Sequence, residues 1–421
     1  MDFVDLPDND FTLKNVTLPA CLIGQPGDLM QTDIAISNGR IASQTLGRQI
    51  DMERAMVLPC FVDMHTHLDK GHIWPRAANP DGTFMGALTT VQADRESNWT
   101  ADDVMARMRF GLKSAWAHGT KAIRTHLDSI PPQHVISFPV FRDLRDEWDG
   151  RITLQAACLV SCEKIGDADG FPDVVKTVAE SGGVLGMVTY PVPDLEERLD
   201  RFLGFASDHG LDIDFHVDET MDPASETLRV IAQKVLETGF VGSVTVGHCC
   251  SLSTQDEARA MDTLDLVARA GLHVVSLPMC NLYLQDRGAG TPRRRGITLV
   301  HEMHDRDIPV AFASDNTRDP FYAYGDLDMV EVMRQATRIG HLDHSRDDWA
   351  LSFNEVPATA MGIDVPSLAP GAPADLILFE ARTWTEFYAR PQMNRLVLRD
   401  GKAIDRTLPS YSELDHLMER T

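Results

Sequence analysis

Leu58-Pro59-Cys60-Phe61-Val62-Asp63-Met64-His65-Thr66-His67 is the stretch from which the rest of the chain is best read. Val57 to Met64 is an apolar run of strand length, and it leads into two histidines one residue apart. Alternate strand residues share a face, so His65 and His67 can converge on one point. A bidentate metal clip needs that geometry, although His-X-His alone also arises as a pair of polar caps on a strand. Seven further apolar runs follow: Ala122 to Thr125, Ile152 to Leu159, Val184 to Val188, Ile213 to Phe215, Val244 to Val246, His273 to Leu277 and Val310 to Ala313. Helical stretches separate them. In Ala101 to His118, Val104, Met108, Leu112 and Ala115 share a face, and Thr100 and Asp103 are spaced as a capping box.

Repeated strand-helix alternation predicts a parallel sheet, and eight units predict an α/β fold of the (β/α)8 TIM barrel type. An open doubly wound sheet is the alternative. The barrel is preferred because its reactive groups belong at the C-terminal ends of the strands. Those ends carry His65 and His67, His126, His216, His248 and Asp315. Outside the alternating region, Phe11 to Val16, Asp33 to Ser37, Arg40 to Ser43, Ala374 to Phe379 and Arg395 to Leu398 read as strands. Asn38-Gly39 and Asp400-Gly401 are turn dipeptides. A small β-sandwich domain built from both termini is expected. The expected division is 1–57 and 366–421 for that domain and 58–365 for the barrel.

Composition narrows the function. Across 421 residues, 63 acidic against 39 basic side chains leave a formal charge of −24, which repels phosphate backbones and argues against nucleic acid as partner. No apolar run is long enough to span a membrane. Met1-Asp2-Phe3-Val4-Asp5-Leu6-Pro7 lacks the pattern of a signal peptide. Seven scattered cysteines, including the twin Cys249-Cys250, suit reduced thiols in a cytoplasmic protein.

Pro59-Cys60-Phe61-Val62-Asp63-Met64-His65-Thr66-His67 resembles the opening signature of the amidohydrolase superfamily, and within it cytosine deaminase and its close relatives. Arg124-Thr125-His126-Leu127-Asp128, Phe215-His216-Val217-Asp218-Glu219, Asn281-Leu282-Tyr283-Leu284-Gln285, Arg294-Arg295-Gly296-Ile297-Thr298 and Asp315-Asn316 with Asp319-Pro320 follow in the matching order. The resemblance implies one divalent metal per subunit, zinc or iron, held by His65, His67, His216 and Asp315 and activating a water. It implies that Glu219 protonates the heterocycle, that His248 orients the attacking oxygen, and that Asp315 takes a proton. His126 and Asp128 are expected behind the ligands, and Trp74, in the loop after His67, near the substrate.

Departures from the pattern carry information. Val184 to Val188 and the residues after it hold no lysine, so the carboxylated-lysine bridge of two-metal relatives is not expected. Ser161 stands where cytosine deaminase has a glutamine reading the pyrimidine edge. Asn316 replaces an aspartate, and Phe321 stands where an aromatic residue covers the ring. These changes could redirect specificity. The expected function is hydrolytic deamination of an aminated pyrimidine or similar small nitrogen heterocycle. The alternatives are an N-alkylamine hydrolase acting on a triazine of the isopropylammelide type, and a cyclic amidohydrolase. A non-enzymatic binding module is the weakest reading. Arg287 to Arg295 reads as a solvated loop or subunit contact, or as a lure for an anionic substrate. A homo-oligomer is compatible with the sequence.

Overall fold

The computed structural model describes residues 4–7 and 9–418, apart from the side chain of Asp167. Met1-Asp2-Phe3 of the N-terminal stretch, and the chain beyond residue 418, lie outside the described residues.

Five strands open the chain: β1 (Phe11–Pro19), β2 (Leu29–Ser37), β3 (Arg40–Ala42), β4 (Arg48–Asp51) and β5 (Met56–Pro59). Asn38 (φ 51°) and Gly39 (φ 76°) both take left-handed conformations and turn β2 into β3, as a two-residue hairpin of matching twist requires. Eight strands then alternate with helices: β6 (Phe61–Thr66), β7 (Thr120–Asp128), β8 (Thr153–Leu159), β9 (Leu185–Thr189), β10 (Ile213–Val217), β11 (Val244–His248), β12 (His273–Ser276) and β13 (Val310–Phe312). Three more, β14 (Leu376–Phe379), β15 (Leu396–Arg399) and β16 (Lys402–Ala403), follow.

All eight expected runs of the middle contribute strands, and all pair in parallel. Their ladders form a three-stranded sheet, β6-β7-β8, and a five-stranded one, β13-β12-β11-β10-β9. Isolated parallel bridges join the two sets at both seams, Ala157 with Val184 and Ser161 with Val188 on one side, Thr66 with Asp315 on the other. The helix Ala101–His118 forms as its pattern predicts. Thr100 accepts from Asp103 N at 3.3 Å at its start, and Val104, Met108, Leu112 and Ala115 are buried. It ends on Gly119 (φ 95°), where a Cβ would lie 2.6 Å from Ile377 Cδ1 of β14. Only glycine both turns the chain and lets β14 approach there.

The end strands form one connected mixed sheet in the order β16-β15-β14-β5-β1-β2-β3, with β4 also paired to β1. A sandwich had been expected, and the hydrogen bonding traces a single sheet. It is buried on both faces near β14. Leu376 and Leu378 pack with Leu13, Val16 and Leu398 in one core. Ile377 and Phe379 enter the core around the parallel strands. This alternation corrects the reading of Val57 to Met64 as one strand. The run is apolar throughout because β5 is buried on both sides. The chain changes sheet at Cys60, whose N–H bonds Asp375 O at 3.0 Å. A second correction concerns depth: His65, His126 and His216 lie within β6, β7 and β10, and not beyond their ends. Among the described residues, no helix is long and apolar enough to cross a membrane.

Candidate metal centre

The parallel strands bring His65, His67, His216 and Asp315 to one point. His65 Nε2 lies 3.1 Å from His216 Nε2, and His216 Nε2 lies 3.3 Å from His67 Nε2. Asp315 Oδ1 is 3.2 Å from His67 Nε2 and 3.7 Å from His65 Nε2. Four donors on an ion at zinc-like bond lengths would be spaced by about 3.4 Å, so these separations suit one cation at their centre. The side chains are buried, and both Asp315 oxygens lack a hydrogen-bond partner among the described residues. Unpaired buried polar atoms are costly unless something satisfies them. Burial, followed by like charges nearby, pushes all three imidazoles well below the ordinary histidine range, so they stay neutral as ligation requires. This donor set fits a divalent metal ion.

The backbone aims the carboxylate. Asp315 takes a left-handed φ of 63°, its N–H bonds His65 O at 2.9 Å, and Thr66 bridges to it. Asp63, two residues before His65, accepts Ser314 N at 3.0 Å and also the Ser314 hydroxyl. The seam between β6 and β13 therefore positions three of the four ligands together.

His248 closes β11 at a left-handed φ of 69°. Asn281 Nδ2 donates to its Nδ1 at 3.0 Å. That bond makes Nδ1 the acceptor and leaves the proton on Nε2, which has no partner among the described residues. A ring nitrogen of His248 lies within 4.8 Å of ligand atoms of His65 and Asp315. Burial drops the His248 pKa to about 3, against the bond from Asn281. A neutral ring with a free N–H thus faces the centre.

Glu219 stands just beyond β10. The adjacent Asp218 anchors this corner by accepting Thr227 N at 3.0 Å and Leu228 N at 2.9 Å. Glu219 Oε1 is 3.5 Å from His248 Nδ1. Asn281 Nδ2 reaches the same oxygen at 3.4 Å, and Gln285 donates to the Glu219 carbonyl at 3.2 Å. Burial, then the Asp315 charge, pushes the Glu219 carboxyl well above the ordinary range, which favours its protonated form. Asn281 had no individual role in the sequence reading. Its signal was an amide pair four residues apart, which one helix face can present together.

The other expected residues are placed more variously. His126 stacks against His65 with ring centroids 4.0 Å apart, and both its nitrogens lack partners. His65, His126 and Asp214 form a second acidic-imidazole group, but Arg124 Nη1 lies 2.7 Å from Asp214 Oδ2 and opposes a cation there. Asp128 pairs with Lys70 at 3.0 Å and Arg95 at 2.9 Å. Ser161 caps a short turn and shares a 2.7 Å bond with the Tyr190 hydroxyl. Asn316 donates to Asp319 at 2.7 Å. Phe321 is buried, edge-on to Phe84, with Lys70 Nζ 5.3 Å from its centroid. Trp74 is half-buried, its N–H bonded to Arg318 O at 2.8 Å. In the Arg287 to Arg295 loop, Arg287 lies over Tyr283 and Arg295 bonds Ile339 O. Cys249 and Cys250 are buried free thiols.

The model of the amidohydrolase family matches residues 175–405. A pterin deaminase of Rhizobium rhizogenes is 54% identical over 420 residues, covering 96% of each chain. An N-isopropylammelide isopropyl amidohydrolase of a Pseudomonas species is 23% identical over 86% of this chain and 88% of its own. A 5-methylcytosine deaminase of Klebsiella pneumoniae crystallised with 5-fluorocytosine superposes with a TM-score of 0.78. It is 24% identical and covers 94% of this chain and 97% of its own, a likeness of fold.

Proposed function

Because this chain belongs to the amidohydrolase family, we propose that it is a metal-dependent hydrolytic deaminase whose substrate is a pterin, a 2-amino-4-oxo pyrimidine ring fused to a pyrazine. The observation that carries deamination is the largely buried Glu219 carboxyl 3.5 Å from His248 beside the four-donor cluster. The choice of ring is supported by the 54% identity to a pterin deaminase across nearly the whole chain. The expected aminated pyrimidine is retained as half of that bicycle, and free cytosine is replaced as the leading candidate.

A zinc or ferrous ion held by His65, His67, His216 and Asp315 supplies Lewis-acid activation of a water when bound. Glu219 donates its proton to the ring nitrogen beside the amine-bearing carbon and makes that carbon electrophilic. His248 presents Nε2–H to the oxygen that adds there and steadies its developing charge. Asp315 accepts the proton given up by the water and passes it to the amine, which departs as ammonia, and Glu219 takes back the proton of the added hydroxyl as the carbonyl forms.

We read the two bridged parallel sheets as a (β/α)8 barrel over 58–365, with 1–57 and 366–421 forming the flanking β domain. The free cysteines suit a cytoplasmic setting. The test is ammonia release by metal-loaded protein from pterin, cytosine and N-isopropylammelide, with metal analysis alongside. Ammonia from pterin in preference to cytosine is expected. Isopropylamine from the triazine without ammonia from pterin would overturn the proposal.

A further inference from the structure

The mechanism leaves one buried cation unused. Lys70 follows His67 by three residues, and its side chain is only 5% exposed. Its ammonium lies 3.0 Å from Asp128 Oδ1, and among the described residues that is its one ion-pair partner. An ammonium carries three donors, so two remain to be satisfied where water has little access, at a desolvation cost. Among the described residues, Asp69 and Asp319 make no ion pair with it, although Asp69 Oδ1 has no hydrogen-bond partner of its own. Asp319 accepts Phe321 N at 2.8 Å, Tyr322 N at 3.2 Å and Asn316 Nδ2 at 2.7 Å. Asp69 Oδ2 accepts Asp128 N at 2.8 Å.

The ammonium is also held in place. Asp128, which grips it, is braced by Arg95 at 2.9 Å, and Phe321 lies beneath it at 5.3 Å. Its field reaches His67, His216, Glu219 and Asp315. Burial opposes its charge, but Asp128, Asp69 and Asp319 outweigh that and keep the ammonium charged, so its remaining donors suit an electron-rich group on a ligand. A pterin offers one: the 4-oxo oxygen, on the same pyrimidine ring as the leaving amine.

We propose that Lys70 is a specificity-determining residue that donates a hydrogen bond to the 4-oxo oxygen of the substrate ring, oriented by Asp128 and Arg95. This inference rests on the pterin reading. In it, Lys70 selects rings that carry an oxygen opposite the amine and contributes little to rings that lack one. A site built to hydrogen-bond a substrate group rejects the analogue without it steeply.

The experiment compares pterin with 2-aminopteridine, which lacks the oxygen, in wild-type protein and in Lys70→Met and Lys70→Arg variants. Lys70→Met is expected to lower kcat/KM on pterin by roughly 100-fold and to change it less than about threefold on 2-aminopteridine. Lys70→Arg should keep most of the discrimination. Equal losses on both rings in an active, metal-loaded variant would show a structural role and overturn the inference alone. Ammonia from neither ring with wild-type protein would overturn the pterin reading, and this inference with it. If Lys70→Met does not fold, competitive inhibition of wild type by 4-oxopteridine and by unsubstituted pteridine decides. At least tenfold tighter inhibition by the oxygen-bearing ring is expected, and equal inhibition overturns the assignment.

Discussion

Replacing His67 with alanine and His126 with leucine should separate two overlapping histidine groups. Both sets contain His65. One adds His67 and His216, the other His126 and Asp214. The first has neutral nitrogens 3.1–3.3 Å apart and Asp315 alongside. The second has Arg124 bonded to its carboxylate at 2.7 Å. Two unit charges about 4 Å apart interact by about 4 kcal/mol at an effective dielectric of 20, so a dication there meets about 8 kcal/mol of repulsion from the guanidinium. Structural zinc sites bind with about 10–16 kcal/mol shared among four ligands, or about 3 kcal/mol per ligand. His67→Ala should therefore weaken metal binding by roughly 100-fold or more. His126 makes no hydrogen bond to a ligand, so His126→Leu should weaken it by less than about tenfold. The assay is titration of metal-free protein against a chelator of known affinity, with metal per chain measured at each point. Equal affinity in His67→Ala and wild type, or equal losses in the two variants, would refute this assignment of the ligands.

Glu219→Gln keeps the shape and the contact with Asn281 but removes the transferable proton. Ammonia release should fall by about 10²–10⁴-fold with metal content unchanged, because that is the usual worth of a positioned acid. Stripping the metal should lower the thermal midpoint, since metal at 1,000 times its Kd stabilises by about 4 kcal/mol; calorimetry with and without chelator checks this. Away from the centre, Arg395 is buried against Asp328 at 2.8 Å. Asp328→Ala should cost about 3–5 kcal/mol in urea unfolding by stranding that guanidinium. Burial raises the Asp328 pKa, but Arg395 and then His118 outweigh it and hold the carboxyl below its ordinary 3.8. Its folded pKa lies below the unfolded one, so the stabilisation is present above about pH 4 and fades below it. The gap between wild type and variant should narrow as unfolding is repeated at lower pH.

The parallel strands and the shared face of His65 and His67 were readable in the sequence because each rests on a local rule, whereas His216 and Asp315 were added as candidate ligands by the family resemblance. Period-two alternation puts His65 and His67 on one face, and apolar runs between amphipathic helices mark the strands. What escaped depended on contacts between distant segments. The break at Cys60 is invisible locally, because both halves of Val57 to Met64 are apolar. It follows from β14 arriving from the far end of the chain to cover β5. Asn281, Asp63 and Lys70 each act through a partner more than thirty residues away. Nothing in their own neighbourhoods announces those partners. Ser161 shows the family pattern and the local contacts pointing to different roles. Its position in the family pattern suggested substrate contact, while its hydroxyl is engaged by Tyr190 and a turn.

The backbone itself points to the same centre. Asp218, His248 and Asp315 all have positive φ, at 48°, 69° and 63°, and none is glycine, the residue that takes this conformation cheaply. Each strained non-glycine residue costs of order 1–3 kcal/mol, so a chain optimised for stability alone would place glycine there. In each case the side chain explains why it does not. Asp315 is needed as a donor, His248 as a neutral N–H, and Asp218 as the anchor from which Glu219 projects. At each of these strand ends a left-handed residue turns the chain sharply, and that turn carries the side chain toward the centre without lengthening the loop. Replacing His248 with glycine would relax its corner while deleting the group it was bent to present. Left-handed residues such as Glu53, Arg54, Leu327 and Gln392 occur elsewhere too, but at these three strand ends the strain falls on side chains that the proposed chemistry uses.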